Sequence, residues 1–263
     1  MILEIILAFA AGLLIGSFLN VCIYRWPLDL TVRKPARSFC PKCEKTIAWY
    51  DNIPLVSYAL LSGKCRQCGA QISWRYPIVE LLTGAAFAYC VATFGLSLVA
   101  LKLSLFCAIQ IALIVTDIEE RILPDEFTLG GTLLGLVLAW FTPVEIGFSY
   151  MILGGTTDPR WLSLMDSALG ALFACGVVWF IRWLYEKLRH REGMGLGDVK
   201  MMAMIGAFLG IRLAFQTIFV GCLLGSVIGL AIIYIAKKGS DYELPFGSFL
   251  GFAAIVTALW SGL

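Results

Sequence analysis

Charge is scarce in this chain. Of its 263 residues only 14% are Asp, Glu, Lys or Arg, against roughly a quarter in an ordinary soluble domain. Histidine is almost absent. The single one, His190, argues against a His-based metal centre or catalytic triad, and among Lys187, Arg189 and Arg191 it reads as a solvated loop residue. No serine stands in a Gly-x-Ser-x-Gly elbow. A basic segment ahead of the first apolar run is missing as well. Residues 2–24 are too long and apolar, and lack a convincing cleavage site, for a removable signal peptide. No internal repeat or low-complexity tract is apparent.

Apolar residues are what the chain has: 60% hydrophobic, with a mean hydropathy of +0.86. The expected fold is an all-α polytopic membrane protein of about eight transmembrane helices with a small cytoplasmic zinc-ribbon insertion. A span takes about 20 residues, fewer when short or capped by a loop. Spans are predicted near 3–24, 76–94, 97–116, 126–143, 165–185, 199–211, 213–236 and 245–261. The sixth is short, either a half-helix or continuous with its neighbour. Gly95 fits a turn between the second and third spans, and Gly210, Ile211 and Arg212 one between the sixth and seventh.

Lys and Arg set the orientation. Arg25 to Arg75, Arg121, the Arg182–Arg191 cluster, Lys200 and Lys237/Lys238 fall on one side, and only Lys102, Arg160 and Arg212 toward the other. The large loop is then cytoplasmic, with both termini outside. The expected organisation is a first transmembrane helix at 1–24, a cytoplasmic zinc-ribbon loop at 25–75 and a transmembrane core at 76–263. The segment near 144–164, with Gly154, Gly155, Asp158 and Pro159, reads as a surface loop without evident chemistry.

Four of the nine cysteines form Cys40-Pro-Lys-Cys43 and Cys65-Arg-Gln-Cys68, about 20 residues apart as in a four-cysteine zinc ribbon. Each pair presents two thiolates to one tetrahedral ion, and Gly69 allows the turn after the second. Disulfides are the rival, but a cytoplasmic loop keeps its thiols reduced. Four thiolates leave no open metal position, so the role is structural. Trp49, Tyr50, Tyr58, Trp74 and Tyr76 would pack around the ribbon or rest at headgroup level. Arg33, Lys34 and Arg37 either meet anionic lipid or substrate, or are plain positive-inside charges. Cys22, Cys90, Cys107, Cys175 and Cys222 lie in apolar runs as small core residues.

Two carboxylates stand at the edges of apolar runs, where a charge is costly. Asp117 closes Leu113-Ile-Val-Thr-Asp117, at a helix end where the macrodipole disfavours negative charge. That suits it to hold or share a proton. Asp198 follows Gly193, Gly195 and Gly197, and is either an N-cap or a second catalytic carboxylate. The glycines would give an extended substrate backbone room to approach. Glu119 and Glu120 are expected in a loop. Asp125 follows Pro124 and is most simply an N-cap, with a catalytic role as the alternative. Glu80, a turn inside the second span, would pair with Arg25 or Arg75 or take a cationic ligand group.

Taken in order, these motifs resemble a family. The stretches Gly16-Ser-Phe-Leu-Asn20-Val-Cys-Ile-Tyr-Arg25-Trp-Pro27, the two Cys-x-x-Cys knuckles and Arg75-Tyr-Pro-Ile-Val-Glu80-Leu-Leu-Thr-Gly84 carry the likeness. So do Asp117 with its Leu-Pro-Asp125 tail and Gly195-Leu-Gly197-Asp198-Val-Lys200. The chain resembles the type IV prepilin peptidases, or prepilin leader peptidase/N-methyltransferases. The Gly-x-Gly-Asp signature is shared with archaeal preflagellin peptidases and presenilin-type proteases.

The resemblance implies aspartic endoproteolysis that removes the basic leader of type IV prepilins and type II secretion pseudopilins, at the cytoplasmic face of a bacterial inner membrane. It also implies methylation of the new N-terminal amine from S-adenosylmethionine. It places the catalytic aspartates at Asp117 and Asp198, with Gly195, Gly197, Asp125 and Lys200 in support and structural zinc on Cys40, Cys43, Cys65 and Cys68. No Gly-x-Gly-x-x-Gly follows a strand, and the donor site is unassigned. Membrane lipid is an expected partner and nucleic acid is not. Two rivals stay open: a peptidase without methyl transfer, and a transporter or assembly factor using the aspartates as a proton relay.

Overall fold

The computed structural model describes residues 1–35, 37–143, 147–153, 157–190, 194–236 and 245–261. Arg191, Gly193, Lys237 and Lys238, and 144–146 and 154–156 of the predicted surface loop, lie outside the described residues.

Among the described residues the chain is helical and contains no strand, only two isolated bridges. The helices are α1 (Ile2–Arg25), α2 (Val56–Leu60), α3 (Arg75–Phe94), α4 (Leu98–Glu120), α5 (Asp125–Phe141), α6 (Phe148–Leu153), α7 (Pro159–Arg189), α8 (Leu196–Ala236) and α9 (Phe246–Trp260). Every predicted span falls on one of them. Among the described residues, five candidate spans are long and apolar enough to cross a membrane: Ile2–Leu28, Arg75–Phe94, Leu98–Glu120, Pro159–Arg189 and Leu196–Ala231. Helices α5 and α9, of 17 and 15 residues, are shorter than a full crossing. Helix length alone therefore does not yield eight spans.

The chain forms two compact units, Met1–Ala112 and Leu113–Leu263. In the first, α1 packs closely on α3 through glycine. A side-chain carbon on Gly12 would stand 2.8 Å from the Gly84 Cα, and one on Gly16 2.8 Å from the Glu80 Cα. This is how apolar helices gain contact where lipid offers no hydrophobic drive. Asn20 Nδ2 donates to the Tyr76 carbonyl at 3.1 Å along the same seam.

Glu80 does not form the predicted ion pair with Arg25. Its Oε2 accepts the Leu55 N–H at 2.9 Å, with the Ser17 side chain near the same carboxylate. Arg25 is buried and occupied elsewhere. Its guanidinium donates to the carbonyls of Thr31, Val32, Pro35 and Arg37 at 2.9–3.4 Å and covers the Phe39 ring at 5.8 Å. One buried cation thus ties the start of the loop to the end of α1.

In the second unit, Asp158 caps α7 by accepting the Arg160 N–H at 2.9 Å, with Pro159 at the first helical position. His190 ends that helix in the left-handed conformation (φ 52°), its N–H bonded to the Glu186 carbonyl. Gly170 of α7 lies against Gly206 and Gly210 of α8, so the two backbones nearly touch. Helix α8 is broken at Gly210 (φ 74°, ψ 179°). The packing of α9 shows that the chain reverses there. Gly247 and Gly251 lie beside Asp198 and Met201, whereas Gly225 and Gly221 meet Phe246 and Leu250, and Leu213 lines one groove with Trp260. One half of α8 therefore runs parallel to α9 and the other antiparallel. The turn predicted at Gly210 is present, and a glycine is needed at its positive φ.

The first half, residues 196–209, is apolar on nearly every side. Met201, Met202, Met204, Ile205, Ala207 and Phe208 are all buried. A helix hydrophobic all round belongs in the centre of its unit.

Candidate active site and metal centre

Asp117 lies in the last turn of α4, which continues through Glu119 and Glu120 to its end; these two are exposed residues of the helix, not of a loop. Asp198 is the third residue of α8. Both belong to the second unit and are buried, 6% and 8% exposed. They meet at a third element that the sequence reading did not single out, the first turn of α9. A side-chain carbon on Gly247 would stand 3.1 Å from Asp117 Oδ2, 3.1 Å from Asp198 Oδ1 and 3.1 Å from Leu123 Cδ1. A side chain on residue 247 would thus press on both carboxylates, each of which would have to give by a few tenths of an ångström, and the two are close enough to repel each other.

Each carboxylate has its own donors. Asp117 Oδ2 accepts the Ser248 N–H at 2.6 Å and the Ser248 hydroxyl at 2.7 Å. The Gly195 N–H lies near the Asp198 carboxylate and favours its negative charge. Asp198 is thus not the N-cap itself; it reaches back to the residue before the helix, as the acidic member of a capping box does. The N-termini of α8 and α9 both point at the pair, and their free N–H groups and dipoles meet the negative charge that the C-terminal end of α4 alone disfavours.

The predicted supporting residues divide. Gly195 is open: an added carbon there would meet nothing closer than Asp198 Oδ2 at 3.7 Å. Gly197 serves packing rather than substrate room, since a carbon there would stand 3.0 Å from Leu123 Cβ. Asp125 is not an N-cap. Pro124 occupies that position, α5 begins at Asp125, and no side chain caps it. The Asp125 carboxylate instead takes Lys200 Nζ at 2.7 and 2.8 Å. Leu123, Gly247 and Ser248 were missed. Gly247 and Ser248 stand in an apolar run, and donation by a backbone N–H leaves no mark in side-chain chemistry.

In the first unit the four cysteines come together, their sulfurs within 4.8 Å of one another and Cys40 Sγ 3.8 Å from Cys68 Sγ. A tetrahedral zinc with sulfur at about 2.3 Å separates its ligands by about 3.8 Å. The donor set fits one such ion.

The two knuckles repeat each other. Cys40 and Cys65 donate N–H to Lys45 and Ala70 and accept from Glu44 and Gly69. Bridges Phe39–Thr46 and Lys64–Gln71 flank the turns identically. Gly69 has φ 69°, and Glu44 takes the matching conformation with φ 56° despite its side chain. The N–H groups of Cys68 and Gln67 bring the Cys65 thiol down to about 7, the direction that favours a thiolate ligand. Beside the ribbon, Arg66 binds Asp51 through Nε and Nη2 at 2.7–3.1 Å and lies over Tyr50. Tyr58 stacks on Trp74 at 5.5 Å, while Trp49 is 81% exposed.

Residues 10–94 match the family described as bacterial peptidase A24 N-terminal domain, and residues 104–230 match the type IV leader peptidase family. A prepilin leader peptidase/N-methyltransferase of Stutzerimonas stutzeri is 33% identical over 97% of this chain and 90% of its own length. A type 4 prepilin-like proteins leader peptide-processing enzyme of Escherichia coli is 35% identical over 96% and 92%. A prepilin leader peptidase/N-methyltransferase of Myxococcus xanthus is 36% identical over 96% of this chain and 70% of its own. No solved structure matches.

Proposed function

Because the chain belongs to the type IV leader peptidase family, we propose that it cleaves the leader from prepilins and pseudopilins with Asp117 and Asp198 as its catalytic pair. The observation that carries the reading is the meeting of both carboxylates at Gly247, within 3.1 Å of where a side-chain carbon would stand. In the reaction, a water gives a proton to the deprotonated carboxylate as its oxygen bonds to the scissile carbonyl carbon. The protonated partner donates to the carbonyl oxygen. Collapse of the diol breaks the C–N bond, and the leaving nitrogen takes up a proton. No acyl-enzyme forms.

The setting is a bacterial inner membrane crossed about eight times, with the aspartates at the cytoplasmic side. The reversal at Gly210, which splits α8 into two segments, supports that count. Zinc on Cys40, Cys43, Cys65 and Cys68 would fix the loop between α1 and α3. It leaves no position for substrate.

N-methylation of the new terminal amine, with S-adenosylmethionine supplying the methyl group, is the second activity proposed. The described residues contain no strand and hence no strand–loop–helix cradle for a nucleotide. No residue is assigned to the donor.

The test is an incubation of the purified full chain with a prepilin and S-adenosylmethionine, read by mass spectrometry. Leader loss together with the added mass of one methyl group on the mature chain is the expected result. Leader loss alone leaves the peptidase without methyl transfer, and an intact prepilin refutes the proposal.

A further inference from the structure

We infer that Ser248 is the positioning residue for Asp117, fixing which oxygen of that carboxylate faces the reaction. This rests on the proposed aspartate pair and adds a part to it. Asp117 stands in the last turn of α4, where its own helix supplies no donor to its side chain. Among the described residues both hydrogen bonds to its carboxylate come from Ser248, through the N–H at 2.6 Å and the hydroxyl at 2.7 Å, both on Oδ2. Ser248 is the third residue of α9, where a backbone N–H has no partner within the helix. Gly247 lets that turn come close enough to deliver it. Ser248 Oγ also lies 3.2 Å from the Ile114 carbonyl, one turn before Asp117 on α4, so the serine is seated against the same helix it orients.

Two donors fill the two lone pairs of Oδ2. That oxygen is then an acceptor only and takes no part in proton transfer. Where Asp117 is the base, the water gives its proton to Oδ1; where Asp198 is the base, Oδ1 carries the proton that Asp117 donates. Ser248 thereby selects one working oxygen from two equivalent ones and removes the rotation that would exchange them. Being 7% exposed and bonded to the carboxylate, it acts through Asp117 and not on the substrate.

Cleavage kinetics of the full-length protein test this with Ser248→Ala, Ser248→Thr, Gly247→Ala and Asp117→Asn on one prepilin. Ser248→Ala is expected to lower kcat about tenfold, the effect of losing one charge-assisted hydrogen bond, with KM within about twofold. Ser248→Thr keeps the hydroxyl and should return kcat to within about threefold of the parent. Gly247→Ala puts a carbon 3.1 Å from an oxygen of each carboxylate, which must give by a few tenths of an ångström, and should lower kcat about tenfold.

A parent-like kcat in Ser248→Ala, or a threonine variant as slow as the alanine one, overturns the inference. So does a parent-like rate in Gly247→Ala, which serves should Ser248→Ala not fold. Asp117→Asn separates the two levels. If it cleaves normally the catalytic pair itself is wrong; if it is inactive while Ser248→Ala is normal, only the positioning role falls.

Discussion

Lys200 Nζ lies 2.7 Å from Asp125 Oδ1 and 2.8 Å from Oδ2, joining the start of α5 to the second turn of α8. The side chains are 36% and 54% exposed, so water screens the pair and its worth is about 0–1 kcal/mol. Asp125→Asn is accordingly expected to keep cleavage within about threefold of the parent and to leave the unfolding midpoint nearly unchanged. An Asp125→Asn protein as inactive as Asp198→Asn would place Asp125 in the chemistry.

Asp117→Asn and Asp198→Asn should each abolish cleavage while the protein stays folded. An amide keeps the shape of the carboxylate but serves as neither base nor acid, and losing such a group costs about 10²–10⁴ in rate. Asn at 198 keeps an oxygen that can face the Gly195 N–H, so a purely structural role there would survive the change. Rates and thermal unfolding of the two variants, measured together, separate these outcomes.

One zinc per chain is expected, lost in the Cys40→Ser/Cys65→Ser double variant. Metal analysis of the purified protein checks it, and unchanged zinc in the variant would remove the four cysteines as ligands. The repeated knuckles add a second expectation. Glu44 holds a left-handed conformation (φ 56°) that its counterpart Gly69 adopts freely. Glu44→Gly should therefore slow the loss of zinc to a chelator, with a gain of up to about 1 kcal/mol.

Gly206→Ala should be among the most damaging changes far from the aspartates. The added carbon would overlap the Gly170 carbonyl, a backbone group with no rotamer to move to. Overpacking of this kind costs about 1–3 kcal/mol or more, read as a lower unfolding temperature in detergent. Gly176→Ala, on the same α7 where an added carbon meets nothing, is the neutral control.

The helices were legible because membrane spans are long apolar runs, and Asp117 and Asp198 because a carboxylate at the end of such a run is costly. Their partners were not. Glu80 turned out to hold the Leu55 N–H, and Asp117 the Ser248 N–H. Backbone donors are the same at every residue, so only the fold says which one is free. The cap expected at Asp125 failed because Pro124 takes the cap position and leaves the carboxylate to Lys200. The likeness of the two knuckles was hidden because Glu44 stands where the second has Gly69, and the resemblance lies in dihedral angles, not letters.

Residues 196–209, ahead of the reversal at Gly210, reach about 21 Å at 1.5 Å per residue. The hydrocarbon core of a bilayer is about 30 Å thick. A segment that begins with Asp198 and turns back at Gly210 cannot have both ends at the two surfaces of an undisturbed membrane. Either one of its two ends, at Asp198 or at Gly210, lies beneath the headgroups, or the lipid beside it is drawn thin. Hydrophobic mismatch at this segment is then expected to reach the aspartates: cleavage in vesicles should slow as acyl chains lengthen, and a rate independent of chain length would show that the segment's shortness has no bearing on catalysis.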